Sequence, residues 1–348
     1  MPDAARFAAV ADELDQWSRD RDLAGAFLLT RGGEVLLRHA VGPADRATGT
    51  PVTPATRFGI ASVTKMFTAV VVADLVSAGA LAFDSAVVDL LPPERRPSTL
   101  RPDVTVHHLL CHQSGIADYC EEDEDSPAYL DDYGALWVDL PCYSMKRPVD
   151  FLPLFADLPP YRPPGERYQY SNAAFVLLGL VAEELTGRPY VELVQERVFD
   201  RAGMASSGFF PLDEAVPEVA VGYLPRADSS APWRSNVYAM PVVGGADGGA
   251  LCTVDDLDRF LRAYDDGTLL GDLREVMLTR HTEVDEGFHE GYGVFRWPDG
   301  RFGHGGGDPG VEAFVHRWPE EDVNLVVLCS MEGLLVEVRD LLVEAWRG

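Results

Sequence analysis

Apolar positions along the chain fall into runs of two kinds. Residues 25–30 (Gly-Ala-Phe-Leu-Leu-Thr) and 34–41 are short, strand-length runs joined around Gly32-Gly33, and they predict a β-hairpin. Residues 301–307, 311–318 and 323–329 predict three more strands near the other end, followed by a last helix over 334–346. Helical spacing dominates the middle. An apolar helix is expected to run from about Ser62 to a stop near Gly79, and another over 173–185 stops at Thr186-Gly187 with Pro189 beyond. Thr105 and Thr253 are placed to cap further helices, over 106–112 and from 253 onward, and an amphipathic helix from Tyr190 should end at Gly203. Residues 1–17 read as an amphipathic first helix.

Strands at both ends with helices between predict an α+β chain with one sheet built from both termini and a helical insertion. The expected division is residues 1–84 with 290–348 as the sheet domain, and 85–289 as a mainly helical lobe. At 348 residues the chain exceeds what one core ordinarily organises, which supports two lobes.

Charge narrows the partners. The 56 acidic against 29 basic residues give a formal charge of −27, which repels nucleic acid and anionic lipid. No run approaches the length of a membrane span, and the charged first helix lacks a signal peptide's apolar core, so a cytoplasmic protein is expected. The five cysteines are scattered and read as buried or free thiols, although Cys120 and Cys142 could pair. The acidic run from Glu121 to Asp125 reads as a solvated loop, and near the site it would discourage anionic substrates.

Three groups of residues carry chemistry. Ser62 stands three positions before Lys65, one of only two lysines, so on a helix the hydroxyl and amine share a face. A serine needs a base to become a nucleophile, and Lys65 can be that base if its surroundings hold part of it neutral. An ordinary surface lysine would fit poorly beside Met66, Phe67 and Val70. The second group, Tyr170-Ser171-Asn172, opens the helix over 173–185. Tyr170 is a second candidate base, or a buried aromatic with a satisfied hydroxyl, and Asn172 is a hydrogen-bonding side chain or a helix cap. The third, His304-Gly305-Gly306, enters a late strand whose glycines permit close approach to a ligand.

In this order and at these separations the three groups resemble the serine β-lactamase and penicillin-binding-protein superfamily. The resemblance is to its class C-like branch, which also holds D-alanyl-D-alanine carboxypeptidases, D-aminopeptidases and family VIII esterases. It extends over nearly the whole chain, to flanking phrases such as 104–110 with Ser114-Gly115, and the Gly248-Gly249 loop before Thr253. It implies an antiparallel sheet flanked by terminal helices, an all-α lobe, and an active site in the cleft between them. It further implies an acyl-enzyme on Ser62, with proton transfers shared by Lys65 and Tyr170. Asn172 would hold Lys65 and an acyl amide, and the backbone N–H groups of Ser62 and Gly307 would form the oxyanion hole.

His304 stands where lactamases usually carry the lysine of Lys-Thr-Gly. The change removes a fixed positive charge and a hydroxyl, so any grip on a substrate carboxylate should depend on pH. That argues against penicillin hydrolysis as the main activity. The expected substrate is a small ester, or an amide or peptide with a D-residue, hydrolysed without cofactor or metal. The alternatives are a true β-lactamase or D,D-carboxypeptidase, an acyltransferase, and a non-catalytic penicillin-binding sensor. Three other signals fail their context tests. Residues 305–310 match a dinucleotide glycine pattern but contain Pro309 and enter a strand. His304 with its glycines lacks the G-x-S-x-G elbow of a lipase, and His108 and His112 lack the glutamate of a zinc-protease helix.

Overall fold

The computed structural model of the chain describes residues 2–123, 126, 128–130 and 133–348. Eight strands form one antiparallel sheet: β1 (Gly25–Arg31), β2 (Glu34–Val41), β3 (Thr282–Asp285), β4 (Phe288–Glu290), β5 (Phe295–Arg296), β6 (Phe302–Asp308), β7 (Val311–Trp318) and β8 (Val323–Cys329). Their order is β2-β1-β8-β7-β6-β5-β4-β3, so the hairpin from the start of the chain pairs with the last strand, Phe27 opposite Val327. Gly32 and Gly33 turn the first hairpin at φ +57° and +83°, values that side chains beyond glycine adopt at a cost.

The central strands β1 and β8 are buried on both faces, which is why they read as continuous apolar runs. Phe27, Leu29, Leu325 and Val327 meet Phe7, Val10 and Leu14 of helix α1 (Pro2–Asp20) and Val338 and Leu342 of the C-terminal helix (Leu335–Arg347). Ala26, Leu28, Val326 and Leu328 face the opposite way. They join the larger core of Met66, Phe67 and Val70 from helix α2 (Thr64–Ser77) and Phe175 and Leu178 from helix α3 (Asn172–Thr186). Because side chains alternate along a strand, one sheet serves two cores.

Helix α2 is buried nearly all round, as its composition requires, and α3 begins with Ser171 accepting the Ala174 N–H and ends at Gly187 with φ +66°. The helix at Thr105 spans Val106–Leu110, shorter than expected, and Thr105 and His108 form a reciprocal capping box. The stretch from Tyr190 to Gly203 contains a π-helical turn, Gln195–Phe199. Two parts of the stretch assigned from sequence to the helical lobe lie on the sheet side. Helix α4 (Val254–Asp265), capped by Thr253, packs on β1 and β8, with Asp258 taking hydrogen bonds from Thr30 (2.6 Å) and Asn324 (2.8 Å). The strands β3 and β4 extend the sheet edge before residue 290 and are too short for the sequence pattern to show. No helix among the described residues is long and apolar enough to cross a membrane. All five cysteines are buried and free.

Candidate active site

The candidate nucleophile Ser62 follows a strained corner. Ala61, the residue before Ser62, has φ +45°, where residues with a Cβ are rarely found. Ser62 lies on a 3-10 turn (Ala61–Val63) that leads into α2, rather than within the α-helix the sequence suggested. The turn runs directly into α2, where Lys65 lies three positions on, and the two side chains come together on one face. Lys65 Nζ is 3.0 Å from Ser62 Oγ. It also donates to Asn172 Oδ1 at 2.8 Å and to the Asp247 carbonyl at 2.6 Å. Lys65 is wholly buried, and burial is the main reason its pKa falls below that of a free lysine, against the opposing pull of Asp247, Glu122 and Asp118.

The second wall is the entry to α3. The Tyr170 hydroxyl bonds with Ser62, and burial raises its pKa well above that of a free phenol, with Glu122 adding to the rise. Its ring lies under Lys65, Nζ to ring centre 4.8 Å, and stacks on His112 at 4.4 Å. His112 holds φ +55°, and its Nδ1 accepts the Ser171 N–H at 3.0 Å. Ser171 is the cap of α3, so Asn172 does not cap the helix and its side chain is free to turn to Lys65. Asp118 fixes this corner: it accepts the N–H groups of Asn172 and Ala173, both at 2.8 Å, and also reaches Asn172 Nδ2 at 3.3 Å.

The third wall is β6. A Cβ on Gly306 would stand 2.4 Å from the Ile60 carbonyl and 3.0 Å from Ser62 N, so only glycine lets the strand pass Ser62 this closely. At Gly307 a Cβ would meet nothing within 4 Å, and Gly305 faces the Phe314 ring. His304 differs from expectation. It is 1% exposed, its ring lies 4.7 Å from Phe295, and its Nδ1–H donates to the Gly305 carbonyl. Burial, with Lys65 nearby, lowers its pKa to about 3, so it is neutral near pH 7 and gives no pH-dependent cationic grip.

The three walls enclose a cavity of about 530 Å³ with Ser62 and Asn172 in its lining. Phe210, Leu212, Val219 and Met240 make much of the rest apolar. Four carboxyls act on Lys65: Asp118, Asp247 and Asp308, which were not named as site residues from sequence, and Glu122 of the acidic run. Their place follows from long-range folding, and an aspartate in a loop such as 244–249 carries no local signal of it. The acidic run is not simply a solvated loop. Glu121 is buried and accepts Gln169 Nε2 at 2.6 Å, and Glu122 lines the cavity, while Glu124 and Asp125 lie outside the described residues. His108 and His112 turn to Thr105 and Ser171, away from each other's partners.

The chain has relatives among known proteins. The family model described as Beta-lactamase matches residues 7–344. The chain is 40% identical over 213 residues to Esterase EstB of Burkholderia gladioli, covering 60% of this chain and 53% of that one. It is 29% identical over 329 residues to a D-aminopeptidase of Brucella anthropi, covering 89% of this chain and 56% of the other. The chain thus spans about half the length of these curated relatives. Among solved structures, a penicillin binding protein from Bacillus halodurans superposes with a TM-score of 0.88 at 37% identity, covering 96% of this chain and 99% of that one.

Proposed function

The chain belongs to the Beta-lactamase family, and we propose that it is a serine hydrolase acting through an acyl-enzyme on Ser62, with a small ester or a D-residue amide or peptide as substrate. One observation carries the reading: the donor geometry at Lys65. Two acceptors, Asn172 Oδ1 and the Asp247 carbonyl, take two N–H bonds of the amine, and the third direction points at Ser62 Oγ. In the neutral amine that direction holds the lone pair. Burial favours the neutral form, so the amine is arranged to receive the hydroxyl proton.

Acylation then proceeds as Ser62 Oγ bonds to the substrate carbonyl carbon and passes its proton to Lys65. The negative oxygen that forms is met by the backbone N–H groups of Ser62 and Gly307, each worth about 3 kcal/mol in such sites. The close pass of β6 at Gly306 supports this placement. Collapse breaks the bond to the leaving oxygen or nitrogen, which takes a proton through Tyr170. With its pKa raised, Tyr170 is a neutral phenol, suited to relaying a proton between Lys65 and the leaving group rather than to acting as a standing phenolate base. Water enters the same path in reverse to release the acid.

The relatives named esterase and D-aminopeptidase support the substrate class. The carboxyls around Ser62 and the neutral His304 weigh against a β-lactam carboxylate. The test is turnover of p-nitrophenyl butyrate by the wild type and by Ser62→Ala. Many turnovers by the first and none by a folded second are expected; equal rates would sink the assignment.

A further inference from the structure

The cavity has a polar end and an apolar remainder. Three of the carboxyls in its lining, Glu122, Asp247 and Asp308, are among the groups acting on Lys65, so they mark the polar end. The fourth, Glu214, is solvent-exposed. Burial first, then Asp247 and Glu122, push Asp308 up to about 8 against the pull of Lys65, so it is largely protonated at neutral pH. Among the described residues, the lining includes no arginine, lysine or histidine, and an anion there would meet no counter-charge. Phe210, Leu212 and Val219 make one apolar wall, and Val237 and Met240 another. At about 530 Å³ the cavity lies in the range that encloses drug-sized ligands, roughly 300–1,000 Å³, and the acyl group of a butyrate fills only a fraction of it.

The apolar character continues past the mouth. Tyr238, between the cavity-lining Val237 and Met240, is 80% exposed. Val138 is 80% and Tyr143 64% exposed, and they stand on a segment tied to the first one. Trp137 Nε1 donates to the Ala239 carbonyl at 3.0 Å, and the Val242 N–H donates to the Cys142 carbonyl at 3.1 Å. Seven large apolar side chains are exposed among the described residues, and three of them on one pair of linked segments beside the cavity mark a contact surface. The formal charge of −27 repels an anionic lipid surface. Continuity with the cavity instead favours the far end of a substrate whose reacting end lies at Ser62.

We propose that residues 137–143 and 237–240 form an apolar subsite at the mouth of the cleft, and that the cleft takes esters carrying an uncharged, medium-length hydrocarbon chain that runs from Ser62 past Val237 and Met240 to Val138, Tyr143 and Tyr238. This deepens the acyl-enzyme reading and rests on it. Each methylene fully withdrawn from water raises kcat/KM about fourfold, so chain length is the property such a cleft discriminates.

The experiment measures kcat/KM on two ester series below their micelle-forming concentrations. In p-nitrophenyl acetate, butyrate, octanoate and decanoate the acyl chain lengthens; in butyl, octyl and decyl acetate the alcohol does. In one series kcat/KM should rise at least about tenfold between the butyl-length and octyl-length members, and that series identifies the half of the ester that fills the subsite. In Val138→Ser and in Tyr238→Ser the ratio of decyl-length to butyl-length rates should fall about threefold or more. The wild-type series stand on their own should a variant fail to fold. Butyrate turnover with no rise in either series would overturn the proposal and leave the acyl-enzyme reading in place, and a rise that both variants leave untouched would overturn the subsite. Absence of turnover on every ester would overturn the acyl-enzyme reading and this proposal together.

Discussion

Lys65 is the residue on which the proposed chemistry rests, and its burial has a cost that the fold bears. Its pKa is lowered on folding, so the folded chain binds fewer protons there than the unfolded chain below the ordinary lysine value, and the site opposes folding as pH falls through that range. Catalysis follows the same equilibrium. The rate on a neutral ester should rise with pH along an acid limb set by one deprotonation, and Lys65→Arg, which cannot give up its proton, should lose about 10²–10⁴-fold in kcat. Asp308 has the opposite sign. Its folded pKa of about 8 lies above the unfolded value, so its favourable contribution is complete below about 4 and is lost as pH rises to about 8. Asp308→Asn should therefore raise the melting temperature more at pH 8 than at pH 5, by about 2 °C or more at the higher pH. A scan showing equal shifts at both would contradict the assigned burial. Ser62 and Lys65 were legible in the sequence because their relation is local. Asp118, Asp247 and Asp308 were not, and Glu122 only as part of an acidic run, because a carboxylate acquires its meaning from distant segments. His304 was found by motif but misjudged in state, since only packing shows that it is buried beside Phe295.

Among the elements, β6 is the one whose backbone does the positioning. Gly306→Ala should push the strand from Ser62 N and cost about 10²-fold in kcat. Circular dichroism and melting should show a folded protein, and an unimpaired kcat would mean that the strand does not set the oxyanion geometry. The five long strands and the long helices could be read from the chain, because buried strands on a two-faced sheet and helices with Ser, Thr or Gly caps leave strong patterns. The short edge strands β3 to β5 left none. The 3-10 turn at Ser62 was also hidden, because its strain at Ala61 is imposed by neighbours such as β6 and the 244–249 loop rather than by the residues themselves.

For the whole molecule, the two faces of one sheet organise two cores, and the cleft lies where the α2 side of the sheet meets the helical segments. Those segments are tied together by Glu183, which is 2% exposed on its side chain and takes Arg147 at 2.9 Å, Arg95 at 3.2 Å and the Tyr190 N–H at 3.0 Å. Glu183→Ala should lower stability by about 2 kcal/mol in urea unfolding, a value kept modest because both arginines reach solvent. All of this machinery converges on one atom, Ser62 Oγ. The most direct test is to label the protein with a fluorophosphonate and locate the adduct by peptide mass spectrometry. A single adduct on Ser62, absent in Lys65→Arg under the same exposure, is the predicted result; an adduct on another serine, with Ser62 unmodified, would contradict the account.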